Sequence, residues 1–222
     1  MFSAPGRWLP MLKAHADFVA KSAPQVRVTA VAPRDAVRRN YAESLELLRI
    51  ATEMAVPQVT VDVGSGGGFP GLVFAAVFPE MRIHLVEPLQ KRARLLEELA
   101  HQLGLGLVTV HAQRAEDVAR GPLRDTANLV TARAVSELRV LLEYTAPFAA
   151  PGGRLMLPKG SALPSELADA SNALVQLSCA YRGIVTMRPE VSATIQVAVF
   201  EKTGATDARF PRRAGSPGRN PL

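Results

Sequence analysis

The chain has 222 residues, 48% apolar and 21% charged, with a net charge of +6 and a sequence pI near 10.0. This composition describes one globular domain with additions at its ends and excludes a disordered chain. A single cysteine, Cys179, excludes an internal disulfide and a multi-cysteine zinc cluster, so a reducing, cytoplasmic setting and no metal are expected. The basic balance suits a polyanionic partner, though solubility alone accounts for +6 equally well.

Residues 7–21 space Trp8, Leu9, Met11, Leu12, Phe18 and Val19 as one helical face, with Pro24 as the stop. No apolar signal-peptide core occurs in the first ten residues. The longest uncharged stretch, 63–79, is glycine-rich and short of the ~20 apolar residues of a spanning helix, so no membrane is expected. Residues 26–31 read as a short extended piece. A helix is predicted from Pro33-Arg34-Asp35 to about Glu53, with Val37, Tyr41, Leu45 and Leu48 inward and Arg34, Arg38, Arg39 and Arg49 outward. That basic face is either solvated or in contact with RNA.

The stretch 61–71, Val-Asp-Val-Gly-Ser-Gly-Gly-Gly-Phe-Pro-Gly, organises the rest. A β-branched run enters it, and five glycines fall within eight residues. An apolar helical run, 72–78, leaves it. Strand, glycine loop and helix N-terminus follow from that order, and such a helix start offers N–H groups to an anionic group. Two parses coexist. Gly66 to Gly71 fits G-x-G-x-x-G, the dinucleotide fingerprint. Gly64, Gly66 and Gly68, preceded by the acid Asp62, resemble motif I of the class I methyltransferases, which bind S-adenosylmethionine. A P-loop is excluded because no Gly-Lys-Ser/Thr follows.

A second strand, 82–86, ends at Glu87, 23 residues past Gly64. Glu87 either accepts from both ribose hydroxyls or simply starts the next helix with Pro88 in its first turn. That helix, 89–103, carries Lys91, Arg92 and Arg94 near its start, where cations oppose the macrodipole; phosphate contact is one reason to place them there. After strand three (107–110), Ala115 and Glu116 could meet an adenine through a backbone N–H and a carboxylate, or Glu116 could merely cap a helix. Strand four (128–132) is followed by Arg133-Ala134-Val135-Ser136. Neither an Asn/Asp-Pro-Pro-aromatic motif nor a cysteine stands here, which disfavours exocyclic-amine and cytosine C5 methylation.

A helix (138–149), strand five (154–157), Pro158-Lys159-Gly160, a helix over 163–180 holding Cys179 as a small core residue, a strand near 183–187 and a last strand (194–201) complete the alternation. The tail carries five cations (Lys202, Arg209, Arg212, Arg213, Arg219) against Asp207, and reads as a Pro/Gly-rich polycation disordered until it meets a polyanion, or as a solubilising tail.

Taken together, Asp62 to Gly71, Val86-Glu87-Pro88-Leu89-Gln90-Lys91-Arg92, Arg114-Ala115-Glu116, Ala132-Arg133-Ala134-Val135 and Pro158-Lys159-Gly160 resemble the ribosomal RNA small subunit methyltransferase G family, also called glucose-inhibited division protein B. Val28-Thr29-Ala30-Val31, Glu43-Ser44-Leu45 and Phe210-Pro211-Arg212-Arg213-Ala214-Gly215-Ser216-Pro217 extend the likeness. The resemblance implies an α/β, Rossmann-like class I methyltransferase: a central, mostly parallel seven-stranded sheet flanked by helices, with a helical extension (1–56), a core (57–203) and a basic tail (204–222). It implies S-adenosylmethionine as cofactor and methyl transfer to guanine N7 in 16S rRNA, at guanosine 527. A monomer acting on the small subunit is expected.

Cofactor contacts are expected from Asp62, Gly64, Ser65, Gly66, Gly68, Phe69, Glu87, Ala115, Glu116 and Arg133. Arg133 and Lys159 are expected to orient the target base and phosphate, and Lys91, Arg92, Arg212 and Arg213 to bind RNA. Arg27, Asn40, Ile195 and Gln196 depart from the family pattern at positions near the substrate side. Two readings from other classes stay open: a nucleotide-dependent oxidoreductase and a non-catalytic RNA-binding relative.

Overall fold

The computed structural model describes residues 5–22, 26, 28–133 and 135–222; Arg27, Pro24 and Ala134 lie outside the described residues. The N-terminal helix α1 (Pro5–Ser22) is followed by a 3-10 turn (Pro33–Asp35), a π-helical segment (Val37–Ala42) and α2 (Glu43–Met54). The alternating core then runs β1 (Val59–Val63), α3 (Gly71–Val77), β2 (Arg82–Val86), α4 (Gln90–Gln102), β3 (Val108–His111), α5 (Ala115–Val118), β4 (Ala127–Ala132) and α6 (Leu138–Thr145). β5 (Ala149–Lys159), α7 (Leu163–Asp169), α8 (Ser171–Gln176), β6 (Cys179–Thr186), β7 (Gln196–Lys202) and a last turn of helix, α9 (Ser216–Arg219), complete the chain.

The seven strands lie in the order β3-β2-β1-β4-β5-β7-β6, with β7 antiparallel to both neighbours. This is the Rossmann-like class I methyltransferase arrangement. The dinucleotide fold, by contrast, ends 4-5-6. β1 is central and buried on both sides, which is why it reads Val-Thr-Val-Asp-Val without a solvent face. Val61 and Val63 join a core with α6 and α8 residues such as Leu141 and Ala173. Phe74, Leu96, Leu47 and Trp8 form the second core on the opposite face, so α1 and α2 share a layer with α3 and α4.

Four expectations change. The helix over 33–53 is not one α-helix. Its π-helical turn alters the phase, leaving Val37 76% exposed while Asn40 is buried. Arg49 is no part of a free basic face, because it pairs with the buried Glu46 and with Glu53. The predicted helix 163–180 breaks in two, and Cys179 opens β6; it is a core residue there, and burial pushes its thiol up to about 12. The tail is not a free polycation. Arg124 donates to the carbonyls of Thr206, Asp207 and Phe210, and Arg120 to that of Pro211. Arg212 makes a forked pair with the fully buried Glu143, at 2.6–3.0 Å.

Candidate active site

Ligands of open α/β sheets bind outside the carboxyl ends of the strands, where the strand order reverses. Here that is the gap between β1 and β4. β1 delivers the chain to the glycine loop, where Gly64 and Gly66 take φ of +75° and +55°, values that side chains strain to adopt. The loop is also crowded. A Cβ on Gly64 would stand 2.7 Å from the Val135 side chain, and one on Gly66 2.9 Å from the Val28 carbonyl. The Gly64 and Ser65 amides donate to the Val86 carbonyl, tying the loop to the tip of β2.

Two cavities meet at Gly64, Arg92 and Arg133. The smaller, about 260 Å³, lies between the tips of β1, β2 and β3. Its walls are the apolar side chains of Val63, Val86, Leu89 and Val135, the carboxylates of Glu87 and Glu116, Ala115, Arg114 and Tyr144. The larger, about 600 Å³, opens toward β4 and β5 and is lined by Thr29, Arg39, Glu43, Ser65, Gly66, Phe69, Lys159, Glu166 and Ile195 among others. Glu87 and Glu116 therefore face one cavity, Lys159 the other, and Arg133 both.

Each of these side chains is held. Glu87 accepts the Gly66 amide on one oxygen and the Leu89 amide on the other, both at 3.0 Å, with Arg92 3.9 Å away. Glu116 accepts the Gly215 amide at 2.8 Å. Arg133 donates to the Arg39 carbonyl and, at 2.9 Å, to the Asn40 side chain; Glu43 lies 3.9 Å off. Burial pulls the Arg133 guanidinium below its usual value, and Glu43 and Asp62 counter that. Lys159 donates to the Ser136 carbonyl at 2.9 Å and pairs with Glu166. Glu166 also accepts the Leu138 amide, so it fixes the start of α6.

Beneath the loop, Phe69 is stacked on His15 at 4.8 Å and carries Arg133 over its ring at 5.5 Å; Tyr41 meets both rings edge-on. His15 also bonds the Gly67 carbonyl at 2.8 Å. Burial pushes His15 down to about 4, opposed by that bond.

Asp62 and Gly68 line neither cavity. Asp62 is fully buried, and its Oδ2 accepts the Gly71 amide at 3.0 Å. The first amide of α3, expected to serve an anionic ligand, is thus taken by the protein's own carboxylate. Burial pushes Asp62 up to about 6. Among the described residues its Oδ1 is buried without a hydrogen-bond partner. Lys91 is exposed on α4, Arg213 is exposed on the tail, and Arg212 is tied to Glu143. Ile195 lines the larger cavity, and Gln196 begins β7.

Glu43, Glu166, His15 and Tyr144 carry no site role in the sequence reading, and Asn40 stands there only as a departure from the family pattern near the substrate side. The Glu43-Ser44-Leu45 likeness marked the first without its role. His15 carries no local signal, because its partner Gly67 is 52 residues away.

The residues fit S-adenosylmethionine. A nucleoside offers hydroxyl and amine donors and an apolar ring, and the smaller cavity pairs two carboxylates with apolar walls. Among the described residues, no group of three or more His, Cys, Asp or Glu is placed to hold a metal ion, and no helix is long and apolar enough to cross a membrane.

Comparison with known proteins agrees with this geometry. The family described as "GidB: rRNA small subunit methyltransferase G" matches residues 10–190. The ribosomal RNA small subunit methyltransferase G of Dehalococcoides mccartyi (strain CBDB1) is 36% identical over 201 residues, covering 89% of this chain and 85% of its own. That of Desulfitobacterium hafniense (strain Y51) is 36% identical over 212 residues, covering 94% and 87%. Among solved structures, an Aquifex aeolicus SAM-dependent methyltransferase superposes with a TM-score of 0.57 at 17% identity, covering 78% of this chain and 99% of that one. M. jannaschii TYW2 in complex with AdoMet does so at 0.57 and 17%, covering 73% and 76%. At such identities these two structures speak to the fold alone. The sequence relatives, the family match and the strand order agree, and the chain belongs to the rRNA small subunit methyltransferase G family.

Proposed function

We propose that this protein methylates N7 of a guanine in 16S rRNA, guanosine 527 by family resemblance, using S-adenosylmethionine. The observation that carries the reading is the meeting of the two cavities at Gly64, Arg92 and Arg133. One cavity suits a nucleoside. The other is wide enough for a base and has cations on its walls.

Bound S-adenosylmethionine supplies a methyl group made electrophilic by its sulfonium. Glu87 holds the ribose: each of its oxygens already accepts one backbone N–H and keeps capacity for a hydroxyl. Ala115 and Glu116 meet the adenine edge. The Gly64–Gly66 backbone lets the methionine portion pass close, and Arg133 faces the point where the cavities join. Guanine N7 presents an in-plane lone pair and no proton, so no residue need act as a base. The chain's task is positioning, which can supply up to ~7–11 kcal/mol in favourable cases. Arg133 and Lys159 can donate to guanine O6 or to phosphate, and Glu43 and Glu166 keep them aimed.

Lys91, Arg92 and Arg213 remain candidates for RNA contact, whereas Arg212 serves the fold. The organisation we favour is a helical extension (1–56), a catalytic core (57–203) and a C-terminal segment (204–222), in a cytoplasmic monomer.

The test is methyl transfer from labelled S-adenosylmethionine to 30S particles from a strain lacking the modification, with the modified nucleotide mapped on the RNA. Label at guanine N7 is expected; label elsewhere overturns the target. Thermal shifts by S-adenosylmethionine and none by NAD are expected, and the reverse would favour the oxidoreductase. Cofactor binding with no transfer in a single turnover would favour the RNA-binding relative.

A further inference from the structure

The smaller cavity has a wall that comes from the far end of the chain. Glu116 is 2% exposed and lines that cavity, so its carboxylate needs partners. One oxygen, Oε1, accepts the Gly215 amide from 99 residues away. Among the described residues Oε2 has no hydrogen-bond partner. Gly215 holds φ at +78°, the left-handed turn that aims its N–H inward before α9. The segment around it is fastened at several points: to Arg120 and Arg124 through backbone carbonyls, to Glu143 through Arg212, and to the core through the buried Phe210 and Pro217. Tyr144, another wall of the cavity, lies where a Cβ on Gly218 would stand 3.5 Å from its hydroxyl. Such fastening is more than a solubilising tail requires.

We propose that residues 203–222 form a strap that belongs to the cofactor site, and that the Gly215 amide positions Glu116 for the adenine. This rests on the S-adenosylmethionine reading above. Gly215 is a positioning residue. It occupies one carboxylate oxygen and turns the other toward the cavity, where an exocyclic amine can donate to it. The strap sets affinity at the adenosine end alone, since the Gly64 and Arg133 end lies on other elements.

The experiment compares two ligands by calorimetry: S-adenosylhomocysteine, and 5′-methylthioadenosine, which lacks the amino-acid end. The protein is the intact chain and a chain ending at Ala214, which keeps every Arg120, Arg124 and Arg212 fastening. Truncation is expected to weaken both ligands by the same factor, roughly tenfold, as for loss of a hydrogen bond to a charged group. Because truncation also removes the packing of Pro217 and Leu222, the chain carrying Arg120→Ala with Arg124→Ala is measured beside it. That variant retains Gly215 but removes two of the strap's fastenings, and is expected to lose affinity for both ligands in equal proportion. Unchanged affinity for 5′-methylthioadenosine in a folded variant, or a loss confined to S-adenosylhomocysteine, would overturn the strap while leaving the cofactor reading intact. An intact chain that binds neither ligand would overturn both.

Discussion

The two ends of the chain fold back onto the same crevice from opposite directions and use their cations in opposite ways. The N-terminal end grips the glycine loop with neutral groups: His15 on the Gly67 carbonyl, the Phe69 stack, and the Val28 carbonyl pressed over Gly66. Two of its arginines are left outward, the Arg34 side chain 89% exposed and Arg38 52%, each only loosely near Asp35, while Arg49 pairs with a buried carboxylate, Glu46. The C-terminal end is anchored by its charges. Arg212 is held by the buried Glu143 and Lys202 lies fully buried 3.6 Å from Asp125, while Arg209 pairs with its own exposed neighbour Asp207. A cation facing a buried carboxylate is a fastener, because leaving either charge unpaired in the interior is costly. A cation with no such partner is what a phosphate backbone can use.

The sharpest way to break this contrast is Arg212→Ala. It strands Glu143, which is fully buried, and is expected to destabilise the protein by about 3–5 kcal/mol. Urea unfolding checks it. A midpoint equal to wild type would mean that the tail cations are not fasteners. Changing both partners to apolar residues should recover most of the loss.

Next come the two buried titratable groups on either side of the loop, which respond to acid with opposite sign. His15, down at about 4, stays neutral when folded, whereas the unfolded chain takes up its proton below about 6.5. Stability is therefore lost between pH 6.5 and 4, by about 3 kcal/mol. Asp62, up at about 6, takes its proton first in the folded chain, so stability is gained as pH falls from 6 toward 4, also by about 3 kcal/mol. In the wild type these trends offset. Relative to it, His15→Gln should gain stability on acidification and Asp62→Asn should lose it. Unfolding free energies at pH 6 and pH 4 read both signs, and parallel curves would refute the assignment.

Arg133→Ala probes what the N-terminal end holds in place. Arg133 is lodged against Arg39 and Asn40 at the junction of the cavities, and its loss is expected to slow methyl transfer to 30S particles about a hundredfold. Undiminished transfer would remove it from the mechanism. Asn40→Ala, which frees one of its anchors, should cost less.

The smallest effect sharpens the other half of the contrast. Arg34→Ala with Arg38→Ala should weaken RNA binding a fewfold and lower the salt dependence of log K by about 1–2, whereas Arg209→Ala should leave that slope alone. Equal slopes for both would erase the distinction between the ends.

The sequence alone determined the strand, glycine loop and helix at 59–78, the alternation that follows, and the acid at the tip of β2. These depend on neighbours within a few residues: β-branched runs extend, glycines turn where φ is positive, and apolar spacing picks the helices. The family motifs were legible for the same reason. Only the tertiary structure decided which charges are free. Arg212 meets Glu143 across 69 residues, Glu116 meets Gly215 across 99, Arg133 meets Asn40 across 93, and His15 meets Gly67 across 52. It also decided that a π-helical turn sends Val37 outward and that Cys179 starts a strand. A charge's role is set by how far it is withdrawn from water and by what lies within about 4 Å of it, and neither quantity is written in the order of residues along the chain.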